Sequence, residues 1–406
     1  MKIEHFELKN GIRCVFQRTS SNVATMGLTI GVGTRDELEA EHGVAHFVEH
    51  MLFKGTKKRK PYHINSYLDN VGGELNAYTT KEETVVHATV LKSDILRGVD
   101  LIKDVVFNSI YPENEIDKER VVIIDEINSY KDSPSELIYD DFEDMIFKGS
   151  TLGRSILGTK RSLRKINRDT ILNFTKRNYV TSEMVFSMVA NITFIRFKQI
   201  CEKYFEDCEP SLRSCERSKM LNYEVQNIIA SKGTYQKHCI IGGISYDNFN
   251  IKRVPLAVLI NLLGGANANS RLNSVVREKY GLSYNIEAGT TAYSDCGVSS
   301  IYFGTEKENL DRCIELVNLE LKKLRDVEMS SIQLSKIKKQ FIGQLLISSD
   351  SGENMMLSAG KSMLLYGKVD SLDTLKKKVE AVNTKDIIEV ANEVFCESNL
   401  SMLIYK

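Results

Sequence analysis

The chain has 406 residues, of which 42% are hydrophobic and 27% are charged. These values are typical of a globular protein with two or three domains. Lysine and arginine together number 54, as do aspartate and glutamate, so the formal net charge is zero. This balance gives no reason to expect a nucleic acid or an anionic membrane as a partner, because both favour a basic surface.

The sequence also lacks the common targeting and membrane segments. No run approaches the roughly 18 consecutive apolar residues of a membrane span. The first 20 residues alternate charged with apolar side chains, unlike a secretion signal or an arginine-rich, acid-poor mitochondrial presequence. We therefore expect a cytoplasmic protein with no membrane partner.

The first half of the chain alternates strand and helix patterns. In chain order, the predicted elements are a hairpin at 7–17 that turns at Asn10-Gly11, a strand at 23–33, helices at 44–54 and 64–71, strands at 74–80 and 83–91, a largely helical region at 95–179 and a closing strand at 184–191.

A polar stretch at 209–223 contains Pro210, lacks periodicity and is predicted to be a linker. After it the pattern starts again, with a strand at 238–246, a helix at 255–263, a strand pair at 284–305 and a helix at 306–324.

The two halves also share a weak sequence similarity. V-L-K-S-D-I-L-R-G-V-D-L-I-K begins at Val90, and its counterpart F-G-T-E-K-E-N-L-D-R-C-I-E-L begins at Phe303. We therefore expect an internal duplication, with similar α+β domains at 1–208 and 224–406. Each would be a mainly antiparallel sheet backed by helices.

The most specific motif is H-x-x-E-H at residues 46–50. Helix residues four apart share one face and lie about 5–6 Å apart, so His46 and His50 can bind one zinc ion. Glu49 also points near the metal, where a carboxylate can take a proton from a zinc-activated water and pass it to a leaving amine. The motif is the inverted form of H-E-x-x-H. The alternative is an exposed helix with solvated side chains.

Two histidines are too few for a catalytic zinc, which normally takes three protein ligands and leaves one position for water. His42, His63, His87 and many carboxylates are candidates for the third ligand. Their spacing in the sequence does not choose among them.

Five segments, in order, resemble the insulinase-type (pitrilysin-like) zinc metallopeptidases, especially the short mitochondrial-processing-peptidase-like branch. The resemblance covers residues 8–304 and comprises G-V-A-H-F-V-E-H-M-L-F-K-G-T, N-V-G-G-E-L-N-A-Y-T-T-K-E-E-T, E-I-D-K-E-R-V-V-I-I-D-E-I, T-L-G-R-S-I-L-G-T and L-L-G-G-A-N-A-N-S-R-L-N-S-V-V-R-E-K-Y-G-L-S-Y.

The resemblance implies that Glu126 is the third ligand, so that His46, His50 and Glu126 hold one zinc ion per chain. It also implies that Glu49 is the general base. Glu119 lies seven residues before Glu126, on the same helix face, and corresponds to a glutamate that supports the site in this family.

The resemblance further implies a set of substrate-side residues. Asn76 and Ala77 would lie on a free strand edge that binds an extended peptide by β-augmentation; an ordinary edge strand is the alternative. Arg277 and Tyr284 resemble a second-domain pair that would stabilise the oxyanion of the scissile carbonyl. That role requires the two domains to face each other as a clamshell.

The expected function is therefore a zinc metalloendopeptidase that hydrolyses short or unfolded peptides bound in an extended conformation. One alternative is a peptide-binding or scaffolding subunit of a heteromeric peptidase. Another is an H-x-x-E-H enzyme that acts on a small thioether metabolite, against which the duplicated length argues. Analogy with the family also predicts a homodimer.

Overall fold

The computed structural model describes residues 3–214, 216–220 and 222–406. The predicted linker at 209–223 therefore includes two residues, Cys215 and Leu221, that lie outside the described residues. In the described part of the chain the strands are β1 Ile3–Glu7, β2 Arg13–Arg18, β3 Val23–Ile30, β4 Glu74–Thr79, β5 Thr84–Leu91, β6 Met184–Ala190, β7 Asn227–Ala230, β8 Lys237–Ser245, β9 Ser283–Ala292, β10 Gly297–Thr305 and β11 Ser401–Tyr405.

The helices occupy most of the chain between these strands. They are α1 Val44–Leu52, α2 Pro61–Asp69, α3 Ile95–Phe107, α4 Glu113–Lys131, α5 Pro134–Ile146, α6 Lys160–Leu163, α7 Arg168–Asn178, α8 Phe194–Phe205, α9 Arg253–Gly264, α10 Leu310–Asp326, α11 Ser331–Ser348, α12 Gly352–Tyr366, α13 Leu372–Ala381 and α14 Thr384–Val394. The individually predicted strands and helices agree with these bounds to within a few residues. No helix of the described residues is both long and apolar enough to cross a membrane.

The strands form two open sheets with the same topology. Among the described residues, the first sheet has the order β1-β2-β6-β3-β5-β4 and the second has the order β7-β11-β8-β10-β9. In each sheet one pair is parallel, β2 with β6 and β7 with β11, and the remaining pairs are antiparallel. Apart from the additional β1, the two sheets match strand for strand. The expectation of two similar α+β domains is confirmed.

The chain folds into two compact units that are not contiguous in sequence. The first unit comprises Met1–Asn128, Arg154–Arg217 and Ile347–Ser371, and the second comprises Ser129–Gly153, Ser218–Leu346 and Leu372–Lys406. Each half of the sequence thus contributes one helical segment to the unit built mainly by the other half. The predicted bounds of the two repeated domains, 1–208 and 224–406, concern the duplication in the sequence, and they stay a prediction.

Helix α12 is the segment that the second half contributes to the first sheet. Thr25, Gly27 and Thr29 of β3 face this helix, whereas the alternate residues of β3 face a large apolar core with α1, α3 and α8. A Cβ atom on Gly360 of α12 would lie 2.5 Å from Thr29 Oγ1 and 3.1 Å from Ser187 Oγ. Glycine at this position therefore lets the helix backbone approach the sheet closely.

Helix α5 makes the reciprocal contribution to the second sheet. Its apolar residues Ile138 and Phe142 pack in one buried cluster with Ile240, Tyr302 and Leu403 of that sheet. Helices α9, α10 and α14 form the core on the opposite face. Each sheet therefore carries helices on both of its faces.

Candidate metal centre

Helix α1 carries the H-x-x-E-H motif and has two different faces. Val44, Phe47, Val48 and Met51 are fully buried in the core of the first unit. The helix packs against α7 and β4. Since residues i and i+4 share a face, burying this apolar set fixes the direction in which His46 and His50 point. The sequence pattern therefore places both imidazoles together before any metal is considered.

Three potential ligand atoms converge at this face of α1. His46 Nε2 lies 3.8 Å from Glu126 Oε2, and His50 Nε2 lies 3.7 Å from the same oxygen. One ligand atom from each of the three residues lies within 4.8 Å of the others. Glu126 comes from α4, so the structure brings together two residues of one helical turn and a carboxylate 76 positions further along the chain.

Glu119 orients one of the two imidazoles. Its Oε2 lies 3.1 Å from His50 Nδ1, and its Oε1 accepts a hydrogen bond of 2.6 Å from Lys54 Nζ. Such a partner fixes the ring orientation and leaves Nε2 free for a metal. Glu119 is itself buried, and its supporting role stays a prediction.

His46 differs from His50 in having no such partner. Its Nδ1 is buried and makes no hydrogen bond to any described residue. Burial, with a smaller contribution from His50, lowers the pKa of His46 to about 3. The imidazole is therefore neutral at physiological pH, which is the form that coordinates a metal.

Glu49 lies on the same helix but is not one of the three clustered residues, His46, His50 and Glu126. Its Oε2 is buried and has no hydrogen-bond partner among the described residues. Burial raises the pKa of Glu49 and the charge of Glu126 adds to this rise, whereas the Thr79 side chain and the charge of His50 oppose it. A carboxylate whose pKa is shifted towards neutrality beside a candidate metal cluster suits proton transfer.

The donor set fits a catalytic zinc ion. Two imidazoles and one carboxylate match the His₂Glu sets of catalytic zinc sites, which leave a fourth position for water. The unpartnered Oε2 of Glu49 supports this fit, because a buried carboxylate oxygen normally has a partner. A water at the open position would supply one.

The other histidines considered as third ligands are placed elsewhere. His42 Nε2 lies 3.1 Å from the carbonyl oxygen of Ser155, and His63 is exposed on α2. His87 Nδ1 lies 3.3 Å from Glu353 Oε1. None belongs to the His46–His50–Glu126 cluster found among the described residues.

Strand β4 is an edge strand of the first sheet, as predicted for Asn76 and Ala77. Ala77 packs against the same apolar core as α1. Asn76 lies opposite His87 in the β4–β5 ladder and is exposed. Because side chains alternate along a strand, the Asn76 side chain lies on the sheet face away from that core.

Arg277 and Tyr284 lie in the second unit and contact each other. The Arg277 guanidinium carbon lies 5.1 Å from the centroid of the Tyr284 ring, and Tyr284 is 81% exposed. Arg277 belongs to a π-helical segment, Asn273–Lys279, and Tyr284 follows at the start of β9. The pair is thus accessible to a ligand, and its role towards the metal cluster stays a prediction.

Lys54 is a site residue that the sequence interpretation missed. It neutralises Glu119, which in turn contacts His50. A local signal was present in the predicted helix at 44–54, because Lys54 lies four residues after His50, although α1 itself ends at Leu52. The spacing alone gave no reason to connect it with a carboxylate 65 positions away.

The chain is similar to known proteins over nearly its whole length. Residues 13–160 match the family model described as insulinase, peptidase family M16, and residues 165–341 match the model described as the M16 inactive domain. An uncharacterized zinc protease of Bacillus subtilis is 32% identical over 99% of this chain and 98% of its own length.

More distant relatives also align over nearly the whole chain. The mitochondrial-processing peptidase subunit beta of Neurospora crassa is 28% identical over 99% of this chain and 87% of its own length. A solved protease structure from Helicobacter pylori shares the fold, with a TM-score of 0.91 at 21% identity, over 100% of this chain and 99% of that one. The chain therefore belongs to the insulinase family of zinc proteases, peptidase family M16.

Proposed function

We propose that the protein is a zinc-dependent metalloendopeptidase with one zinc ion per chain, held by His46, His50 and Glu126. The observation that carries this proposal is the convergence of these three ligand atoms within 4.8 Å. The Bacillus subtilis and Rickettsia bellii relatives, both described as zinc proteases, support it.

The described residues have distinct roles in this chemistry. When bound, zinc supplies a Lewis acid that makes a water more acidic and polarises a carbonyl. Glu49 takes a proton as the water attacks and donates it to the departing amine. Glu119 accepts from His50 Nδ1–H and, with Lys54, keeps that imidazole in its orientation.

The free edge of β4 would bind the substrate. An extended peptide can add to this edge through backbone hydrogen bonds, which demand an unfolded chain but little sequence. We assign these contacts to the backbone at Asn76 and Ala77, since the Asn76 side chain faces away from the core that holds α1. Arg277 and Tyr284 would reach the scissile carbonyl from the second domain and stabilise the developing oxyanion.

The second candidate function is a subunit that needs a partner for full activity. The fungal relatives from Neurospora crassa and Schizosaccharomyces pombe are described as subunits beta of mitochondrial-processing peptidase. Size-exclusion chromatography followed by a peptidase assay on the isolated protein distinguishes the two functions. The homodimer and the cytoplasmic location stay predictions.

The proposal is tested by zinc quantification combined with digestion of a mixed peptide library, read by mass spectrometry with and without a chelator. We expect about one zinc ion per chain and internal cleavages that the chelator abolishes. Tyr284→Phe should lower kcat and leave the zinc content unchanged. Metal-free protein grown in ample zinc, or cleavage that survives the chelator, would overturn the assignment.

A further inference from the structure

The N-terminus of the metal-binding helix lacks a cap of its own. The residue at the N-cap of α1 is Gly43, which has a left-handed conformation with φ of 91° and no side chain to accept a hydrogen bond. The first turn of α1 also has no acidic residue. The free N–H groups and the positive end of the helix dipole at this buried terminus therefore need a partner from outside the helix.

Glu37 is that partner. Its Oε2 accepts the Gly43 N–H at 2.9 Å, and its Oε1 accepts the Ala45 N–H, also at 2.9 Å. Glu37 is only 3% exposed. Burial raises the pKa of its carboxyl, and the two N–H donors oppose that rise. Both oxygens of Glu37 thus act as acceptors in this cap, one for each backbone N–H.

This cap contacts the turn that carries His46. Ala45, which donates to Glu37, directly precedes His46, whose Nδ1 has no hydrogen-bond partner among the described residues. His50, in contrast, is oriented by Glu119. The position of His46 therefore depends on the backbone of the first turn, which Glu37 holds.

The loop that carries Glu37 is itself fixed by buried charges. The neighbouring residue Asp36 pairs with Arg213 and Arg217 from the described part of the linker. Asp36 also accepts the Gly33 N–H at 2.9 Å. A carboxylate on a loop held in this way is preorganised to receive the helix terminus.

We propose that Glu37 is a positioning residue for the metal centre, which fixes His46 by capping the first turn of α1. The inference rests on the proposed zinc site. Glu37 is not one of the three clustered residues, His46, His50 and Glu126, so its effect should appear first in metal affinity and in the coordination geometry.

The test measures zinc affinity by competition with a chelator, at a temperature at which circular dichroism shows all variants to be folded. Glu37→Gln keeps one acceptor oxygen but turns an amide N–H₂ towards the other donor. We expect zinc binding about ten-fold weaker, at the lower end of the effects seen for residues that orient metal ligands. Glu37→Ala should weaken it further, and the absorption spectrum of the cobalt-substituted protein should change in both variants.

Asn383→Ala is the matched control. Asn383 caps α14 by accepting from the N–H groups of Lys385 at 2.9 Å and Asp386 at 3.0 Å, and this helix carries no proposed ligand. We expect this variant to lower the melting temperature and to leave zinc affinity and the cobalt spectrum unchanged.

The outcomes separate this inference from the proposed function. If the Glu37 variants melt lower but bind zinc like the wild type, Glu37 stabilises the fold only and the inference is wrong. The same holds if Asn383→Ala weakens zinc binding equally. If the wild type binds zinc no better than His46→Ala, the proposed metal site fails, and the inference fails with it.

Discussion

Glu119→Gln tests whether a buried carboxylate that does not bind the metal controls the metal centre. The substitution keeps the size of the side chain and removes its charge. Glu119 accepts from His50 at 3.1 Å and from Lys54 at 2.6 Å, and it is buried. The neutral amide keeps an acceptor at only one of the two oxygen positions, so in this geometry one of the two donors loses its partner and the other is bound more weakly.

The expected magnitude follows from the number of bonds affected. A hydrogen bond to a charged group contributes about 1.5 to 3 kcal/mol to stability. Exposed ion pairs contribute less, but Glu119 is buried, so the larger value applies to its contacts with His50 and Lys54. Losing one such bond corresponds to roughly a ten- to hundred-fold change in an equilibrium constant. We therefore expect the zinc dissociation constant to rise by that factor, with kcat/KM falling in parallel at limiting zinc.

The assay is a chelator competition for zinc, together with cleavage of a quenched fluorescent peptide. Asp117→Asn is the matched control on the same helix, since Asp117 forms an exposed ion pair with Arg120 and its side chain is 78% exposed. It should change zinc affinity by less than about two-fold. Wild-type zinc affinity in a folded Glu119→Gln protein would refute the reasoning.

Three further predictions concern the base, the ligands and the packing of α12. Glu49→Gln should lower kcat by about 10²- to 10⁴-fold with zinc content and melting temperature retained, and robust cleavage by a pure preparation would exclude Glu49 as the base. His46→Ala or Glu126→Ala should reduce the bound zinc measured by mass spectrometry to well below one ion per chain, and full occupancy in either variant would remove that residue from the ligand set. Gly360→Ala should lower the melting temperature, because overpacking costs about 1 to 3 kcal/mol and the new Cβ would lie 2.5 Å from Thr29 Oγ1. Gly343→Ala in α11, where nothing lies within 4 Å of the new Cβ, should raise it slightly through helix propensity, and an equal response of the two variants would contradict the close packing of α12.

Local patterns in the sequence determined the elements and one half of the metal site. The pairing of His46 with His50 follows from a spacing of four residues on a helix whose apolar residues must be buried. The strand and helix order and the repeat after the linker follow from the same kind of periodicity. The edge position of β4 was implied by the family resemblance instead. Helix and strand periodicities can be recognised in the sequence because each depends on residues that are only a few positions apart.

Tertiary structure decided which distant groups join the site. The residue pattern left His42, His63, His87 and many carboxylates as third-ligand candidates, and only the resemblance to a family indicated Glu126. The structure places Glu126 beside both imidazoles and pairs His87 with Glu353 instead. Sequence spacing carries no information on contacts between separate elements, since the packing of their apolar faces sets those contacts.

The exchange of α5 and α12 between the two units could not be predicted from the sequence. Both helices have apolar residues that require burial, but burial is favourable against any apolar surface and has no direction. The choice of sheet depends on close fit, such as that of Gly360 over Thr29. The cap that Glu37 provides to α1 could not be predicted for the same reason. The free N–H groups at a helix terminus can be satisfied by any acceptor, and the folded loop decides which carboxylate lies close enough.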